Sequence, residues 1–551
     1  MCEEKMMETV EEGLKQQAAQ EKGAGGRETT PGMQRREEMR RRNRLCIPYG
    51  AFAAASAVYA LFYTFCLYKN ASGITYPFFI AGTLYYLFFC MRKYRVPSDS
   101  REDGAGFSEA MGTGEVPGLK AYGTAQRAEM LFYGCSLLLL GVSVCMTDDW
   151  KVLWITKTGI FLLTVSLALQ CFYRTAGWSF SKRLGAICRS LLETLHYLDT
   201  PFGDAVTYFK GRDKSTKNRN VGYVLLGLVI AVPLLIVVLA LLASADAVFS
   251  DLFARMLGDI EIGSLLLIGL MTVMAYLLAY SFIRGLTTYR MPEYAEKEKK
   301  GEPVAAITFT LLLTLVYVIF CGIQVVYLFM GNMQLPDGLT WAAYARQGFF
   351  QLLFVCLINL ALVLVCLAVF RESRLLKALL AAISLMTYIL IASSAYRMAL
   401  YIRHYYMTFL RLFVLWALAV IAVLFIGVII SIYREKFPLF SYSMVVVTVC
   451  WIGFAYAKPD YQVARYDLAH LAEIKSDETE DGSRRGGFDD YWYLTGLSAD
   501  AAPLLAQEEV RKQLEDLGAG QHYYEKIRER TENMGIRNFN FSRWRARLYL
   551  D

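Results

Sequence analysis

The sequence predicts an all-α protein: a polytopic transmembrane helical bundle of about eleven spans, followed by a small helical C-terminal domain. Three observations carry that prediction. Hydrophobic residues make up 56 % of the 551 positions and charged residues only 19 %, too apolar for a soluble chain and far too long for one span. The apolar residues are gathered in runs close to the roughly 20 residues that cross about 30 Å of hydrocarbon. Lys and Arg then alternate between the segments joining those runs, as the positive-inside bias requires.

Taken in order, residues 1–45 form a solvated tail closed by Arg35, Arg36, Arg40, Arg41, Arg42 and Arg44, a basic anchor in front of the first span. That span starts near Cys46 and runs on without a small-residue cleavage site, so it reads as a signal anchor with its amino terminus in the cytoplasm. The eleven runs lie near 46–68, 74–91, 129–146, 152–172, 221–242, 263–285, 305–331, 348–370, 375–402, 407–433 and 440–457, and the bundle occupies 46–457. Every even-numbered run ends in a cation-bearing segment, such as Arg92-Lys93-Tyr94-Arg95 or Arg434-Glu435-Lys436. The opposite loops are poorer in cations, and Asp148-Asp149 reads as a solvated loop rather than a catalytic pair. The net charge of +7 follows from this orientation signal and argues against a nucleic-acid partner.

Two cytoplasmic segments are long. Residues 92–128 are glycine-rich and read as a flexible loop. Residues 173–220 place Leu184, Ile187, Cys188, Leu191, Leu195 and Leu198 at helical spacing beside Lys182, Arg183 and Arg189, an amphipathic helix either lying on the inner leaflet or packed on the bundle's own ends. From Lys458 to Asp551 the chain turns polar, with 14 Lys/Arg against 18 Asp/Glu. This segment, 458–551, is expected outside the membrane and docked on the bundle, its first helix opening at Pro459. Helices are expected over Ser498–Leu517 and Gln521–Asn533. Twelve cysteines without a Cys-x-x-Cys pair and four scattered histidines suggest neither a disulfide scaffold nor a metal site, and no cofactor is expected.

The candidate site lies in the polar stretch Ser393–Arg411. On one continuous helix Arg397, Tyr401, His404, Thr408 and Arg411 would fall within about 80° of one another. Without a break, however, the helix through both flanking apolar runs would be about 80 Å long, so a reversal is expected at Arg403-His404-Tyr405-Tyr406. Two arginines then stand near the outer interface. Either they snorkel to head groups and carbonyls, or they clamp a shared anion in a pocket closed by Tyr401 and Thr408, the anion being Asp460 or a lipid or polymer phosphate.

The motif Tyr396-Arg-Met-x-Leu-Tyr-Ile, with Tyr405, Thr408 and Arg411 after it, resembles the signature of a bacterial multi-pass membrane family catalogued as domain of unknown function 4173, related to 4153. Lys458-Pro-Asp-Tyr-Gln-Val-Ala-Arg465-Tyr466-Asp467 is similar to that family's "NPDxxVARYN". Tyr493 to Pro503, including Asp500, is similar to "YLxxLSxDAVP", and Phe539-Asn540-Phe541-Ser542-Arg543 to "WNLSR". Tyr406 stands where the family has glycine, and Lys458 and Asp467 where it has asparagine. The resemblance implies a membrane protein of a family with no assigned activity.

No Gly-x-Ser-x-Gly, Walker or zincin motif is present, and no span has Asp or Glu at its middle, where coupled carriers usually place one. Asn359 and Gln324 read as helix-joining amides, and Lys157 as a snorkelling side chain. The expected function is therefore a non-enzymatic binding, sensing or scaffold component of the bacterial plasma membrane. Its expected partners are membrane lipids and an envelope polymer or another membrane protein. A transporter or lipid translocator, and an envelope enzyme, are the alternatives.

Overall fold

The computed structural model describes residues 49–94 (without 71), 123–212 (without 176), single positions between 227 and 246, 262–288, 301–326, 341–474, 492–516, 520–532 and 534–550. The basic tail, most of the glycine-rich loop and most of the 221–242 run lie outside these residues. Among the described residues there are helices and one isolated bridge, Gly301 to Phe370.

The bundle helices are α1 (Tyr49–Leu67), α2 (Thr75–Tyr94), α3 (Thr124–Met146), α4 (Trp150–Phe172), α5 (Phe180–His196), α6 (Thr200–Arg212), α7 (Ile262–Thr288), α8 (Pro303–Gln324), α9 (Trp341–Val369), α10 (Arg374–Tyr405), α11 (Phe409–Tyr433) and α12 (Leu439–Tyr456). Nine of them, α1, α3, α4 and α7 to α12, are long and apolar enough to cross a membrane among the described residues. The second expected span, α2, is not one of these, because Tyr76, Tyr85, Tyr86, Arg92 and Lys93 dilute its apolar content. In α8 only 17 % of the best window is buried, and Leu312, Leu315, Val316 and Ile319 are each more than half exposed. A helix this apolar with so much of its surface outward is suited to lipid rather than water. The protein thus has the build of a multi-pass membrane protein.

Two apolar clusters fill the bundle. One is built mainly from α1 to α4 and α7, the other from α8 to α11, with α11 and α12 contributing to both. Several polar side chains inside pair across helices. Asn359, fully buried, accepts from the Tyr317 hydroxyl at 2.6 Å and donates to Thr387 at 3.0 Å. Arg284 of α7 donates from Nε to Asp204 of α6 at 3.0 Å, and Tyr280 donates to the same carboxylate at 2.9 Å. Glu129 of α3 accepts from Arg183 of α5, Gln170 of α4 and Ser441 of α12.

These contacts sort the connections onto two ends. The 173–179 turn, α5, α6, the 370–373 turn and the 434–438 turn share one end, joined by Arg183 to Ser441, Tyr173 to Leu286 and Lys377 to Glu435. The turns at 68–74, 147–149 and 406–408 share the other. The chain after α12 packs against this second end as α13 (Pro459–Ile474), a single 3-10 turn (Ala499–Ala501), α14 (Ala502–Leu505), α15 (Glu508–Asp516), α16 (Gly520–Glu532) and α17 (Phe541–Leu550). These helices share an apolar cluster of Val463, Leu494, Leu497, Leu505, Leu514, Tyr523 and Ile527. The expected single helix over Ser498–Leu517 is instead three pieces. Pro503 opens α14, and Glu508 and Glu509 open α15, where acids favour a helix start.

Candidate functional site

The reversal in the polar stretch falls where the length argument puts it. Helix α10 stops at Tyr405, Tyr406 takes φ 67° and ψ 172°, and Thr408 caps α11 by accepting from the Arg411 amide at 3.4 Å. That break also divides the predicted polar stripe, which required one continuous helix. Arg411, now in the first turn of α11, reaches back to the Tyr406 carbonyl and lies 4.1 Å from the Tyr401 ring. Arg397 points the other way, donating to Gln324 Oε1 of α8 at 3.2 Å. Thr408 spends its oxygen on the helix cap. Asp460 belongs to neither arginine: it is buried, accepts from the Ser498 amide at 2.9 Å and faces Lys151 at 3.9 Å. The five residues of the expected clamp are therefore dispersed over three local settings. The side chains of His404 and Tyr405 lie outside the described residues.

Arg397 has a setting of its own. It lines a cleft of about 340 Å³ between α8, α9 and α10, together with Val316, Tyr317, Phe320, Gln351, Leu352, Val355 and Leu390. Gly348 makes room for it, since a Cβ there would overlap the guanidinium. The Gln324 carbonyl that orients Arg397 also accepts from Ser393 at 2.6 Å, so three helices fix one cation beside an apolar wall.

The family-like motifs converge elsewhere, on the 147–149 turn. Asp148 and Asp149, expected to be solvated, are only 4 % and 1 % exposed, because the C-terminal helices close over them. Asp148 accepts from Arg543 at 2.7 Å and Arg530 at 3.1 Å. Asp500 accepts from Thr147, from the Asp148 amide at 3.2 Å and from Ser542 at 2.6 Å, and faces Lys458 Nζ at 3.3 Å. Asn540, fully buried, donates to the Ser72 and Thr147 carbonyls and accepts from the Ser542 and Arg543 amides. One amide thereby ties together two bundle turns and the start of α17. Gly73 lies directly beneath, where a Cβ would come within 2.6 Å of the backbone at Arg537 and Asn538.

Asp149 caps α4 through Oδ1, while its Oδ2 is buried with no hydrogen-bond partner. Burial raises its carboxyl from the ordinary range to about 7, with the Asp460 charge adding to the effect. Burial likewise raises Asp460, against the pull of Lys151. Three of these four aspartates meet four cations, Asp460 facing Lys151, Asp500 facing Lys458, and Asp148 pairing with Arg530 and Arg543, so the cluster is an ion-paired joint in which Asp149 is, among the described residues, the aspartate without an ion pair. Among the described residues no three His, Cys, Asp or Glu are grouped so as to hold a metal.

The α10–α11 turn is tied down by the same helices. Asp467 accepts from the Met407 amide and the Tyr493 hydroxyl from the Phe409 amide, both at 2.8 Å. Tyr466 stacks on His470, Pro503 is buried, and Tyr396 and Arg465 are exposed. Sequence reasoning missed Asp148, Asp149, Arg530 and the joint as a whole. The adjacent acids were visible, but only the fold brings their partners from more than 350 residues away.

No curated protein and no solved structure matches the chain. The family model for a domain of unknown function, DUF4153, matches residues 134–508, from within α3 to the start of α15. The match takes in the α10–α11 turn, α13 and Asp500 to Pro503; Asn540 to Arg543 lie beyond it. The family number is thus 4153 rather than the related 4173 that the motifs suggested, and the chain belongs to the DUF4153 family.

Proposed function

We propose that this protein is a non-enzymatic binding component of the bacterial plasma membrane. In this reading it holds a phosphate-bearing amphiphile, a lipid or the lipid anchor of an envelope polymer, in the cleft between α8, α9 and α10. The observation that carries the reading is Arg397: a guanidinium held by Gln324 in the lining of a mostly apolar cleft, beside the outward face of α8, where Val316 is 59 % exposed. An acyl chain fits the apolar wall, and the planar guanidinium fork suits a phosphate, to which it can give two hydrogen bonds. Arg411, stacked on Tyr401, then has a structural role in the turn.

The topology that accompanies this reading is eleven spans, amino terminus in the cytoplasm, with the C-terminal helices forming a cap on the extracytoplasmic side. The cation-rich turns sharing one end support it. So does the position of the chain on either side of 213–261: α6 lies at the cation-rich end through Asp204, whereas α7 starts at the other, where Lys69 bonds Ser264.

The test is native mass spectrometry of the full chain purified in mild detergent. Hydrogen bonds to charged groups contribute about 1.5–3 kcal/mol, so Arg397→Gln should lower retained anionic lipid about tenfold or more, with Arg397→Lys falling between. Equal lipid retention by wild type and Arg397→Gln, at equal thermal stability, would refute the binding role.

A further inference from the structure

We infer that α5 is a membrane-surface helix that binds the anionic lipid leaflet at the cation-rich end of the bundle. At 100° per residue its side chains divide into three sectors. Ala186, Ile187, Ser190 and Thr194 span about 100° and are the buried residues, packed towards α7, α4 and α12. These are mostly small or polar side chains, which let the helix lie close against its neighbours. Leu184, Cys188, Leu192 and Leu195 span the next sector, about 80° wide, and all are exposed, the three leucines by 50 %, 67 % and 60 %. Lys182, Arg189, Glu193 and His196 fill the third.

A helix that served only to close the bundle would turn all its leucines inward, as it does Leu191. Here Phe180, Ile187 and Leu191 pack inward while Leu184, Leu192 and Leu195 point away from the protein, on a separate side from the charges, which suits a helix shared between bundle, acyl chains and water. The charge supports an anionic leaflet as occupant. Exposed Arg174 precedes the helix, Lys182 lies 5.0 Å from the Trp178 ring, and Arg189 is half exposed beside Glu193. Arg92 and Lys93 add cations in the last turn of α2. Tryptophan and lysine side by side favour the head-group layer.

The test uses the full chain in lipid nanodiscs, with an environment-sensitive fluorescent amino acid inserted by codon suppression at Leu192 or at Glu193. Phosphatidylglycerol and phosphatidylcholine brominated high on the acyl chain serve as lipid-side quenchers, and iodide as the aqueous one. The expected result is bromine quenching several-fold stronger at Leu192 than at Glu193, the reverse order for iodide, and weaker bromine quenching at Leu192 when phosphatidylglycerol is omitted. Equal, iodide-dominated quenching at both positions would overturn the inference. Shielding of Leu192 from both quenchers would overturn it in favour of a second copy or another protein on this face. Quenching indifferent to phosphatidylglycerol would overturn the anionic preference.

Discussion

At the scale of single residues the molecule's most telling choice is Asp149, a carboxylate buried with one oxygen unpartnered. The folded protein holds this acid near 7 because burial disfavours its charge, whereas in an unfolded chain it ionises near 3.8. The folded state therefore binds the extra proton between those values, so the contribution to stability is complete below about 4 and is lost as pH rises through about 7. Thermal unfolding of the full chain should show stability falling between pH 5 and pH 8. Asp149→Asn keeps the oxygen that caps α4 and removes the titration. It should flatten that slope and raise stability at pH 8, and an unchanged slope would show that Asp149 is not its source. Asp148, one residue earlier, makes a useful contrast: its two arginine partners hold it as an ion-paired anchor.

At the scale of elements, two turns use residues poorly suited to them. Tyr406, between α10 and α11, and Lys458, between α12 and α13, both take positive φ, at 67° and 52°. These are the positions where the resembling motifs carry glycine and asparagine, the residues that enter this region at least cost. At φ 67° and ψ 172° Tyr406 is near a region that only glycine occupies freely, a strain of about 1–3 kcal/mol. Set against the greater freedom of glycine in the unfolded chain, about 0.4–1 kcal/mol, Tyr406→Gly should stabilise the protein by roughly 1 kcal/mol. A lower melting temperature for this variant would mean that the tyrosine ring contributes more than its backbone costs. The turn survives with tyrosine because Arg411, Asp467 and Tyr493 all hold its backbone groups.

At the scale of the whole molecule, the two ends carry different chemistry. One collects the cations of the turns and of α5; the other is closed by helices that ion-pair with Asp148 and Lys151 of the bundle. If the cation-rich end faces the cytoplasm, Ile536→Cys, at a residue 93 % exposed on the C-terminal side, should react with an impermeant thiol reagent on intact cells. Lys436→Cys, exposed at the opposite end, should react only after the cells are opened. The reverse pattern would invert the proposed topology.

The sequence by itself determined the helical class, the positions of the long apolar helices, the alternation of cation-rich turns, the start of α13 at Pro459 and a reversal at or near residues 403–406. Each follows from properties local to a few turns of chain: apolar length, charge beside a span, or the limit on how long one helix can run. Only the tertiary structure decided which way Arg397 and Arg411 point and whether Asp148 and Asp149 meet water. The arginines part because the reversal cuts the helical stripe that would have aligned them, leaving each to the partners of a different helix. The aspartates are buried because Asn540, Asp500 and Arg543 return to a turn laid down more than 350 residues earlier. Neither periodicity nor composition encodes a contact over that distance; it exists only once the helices have packed.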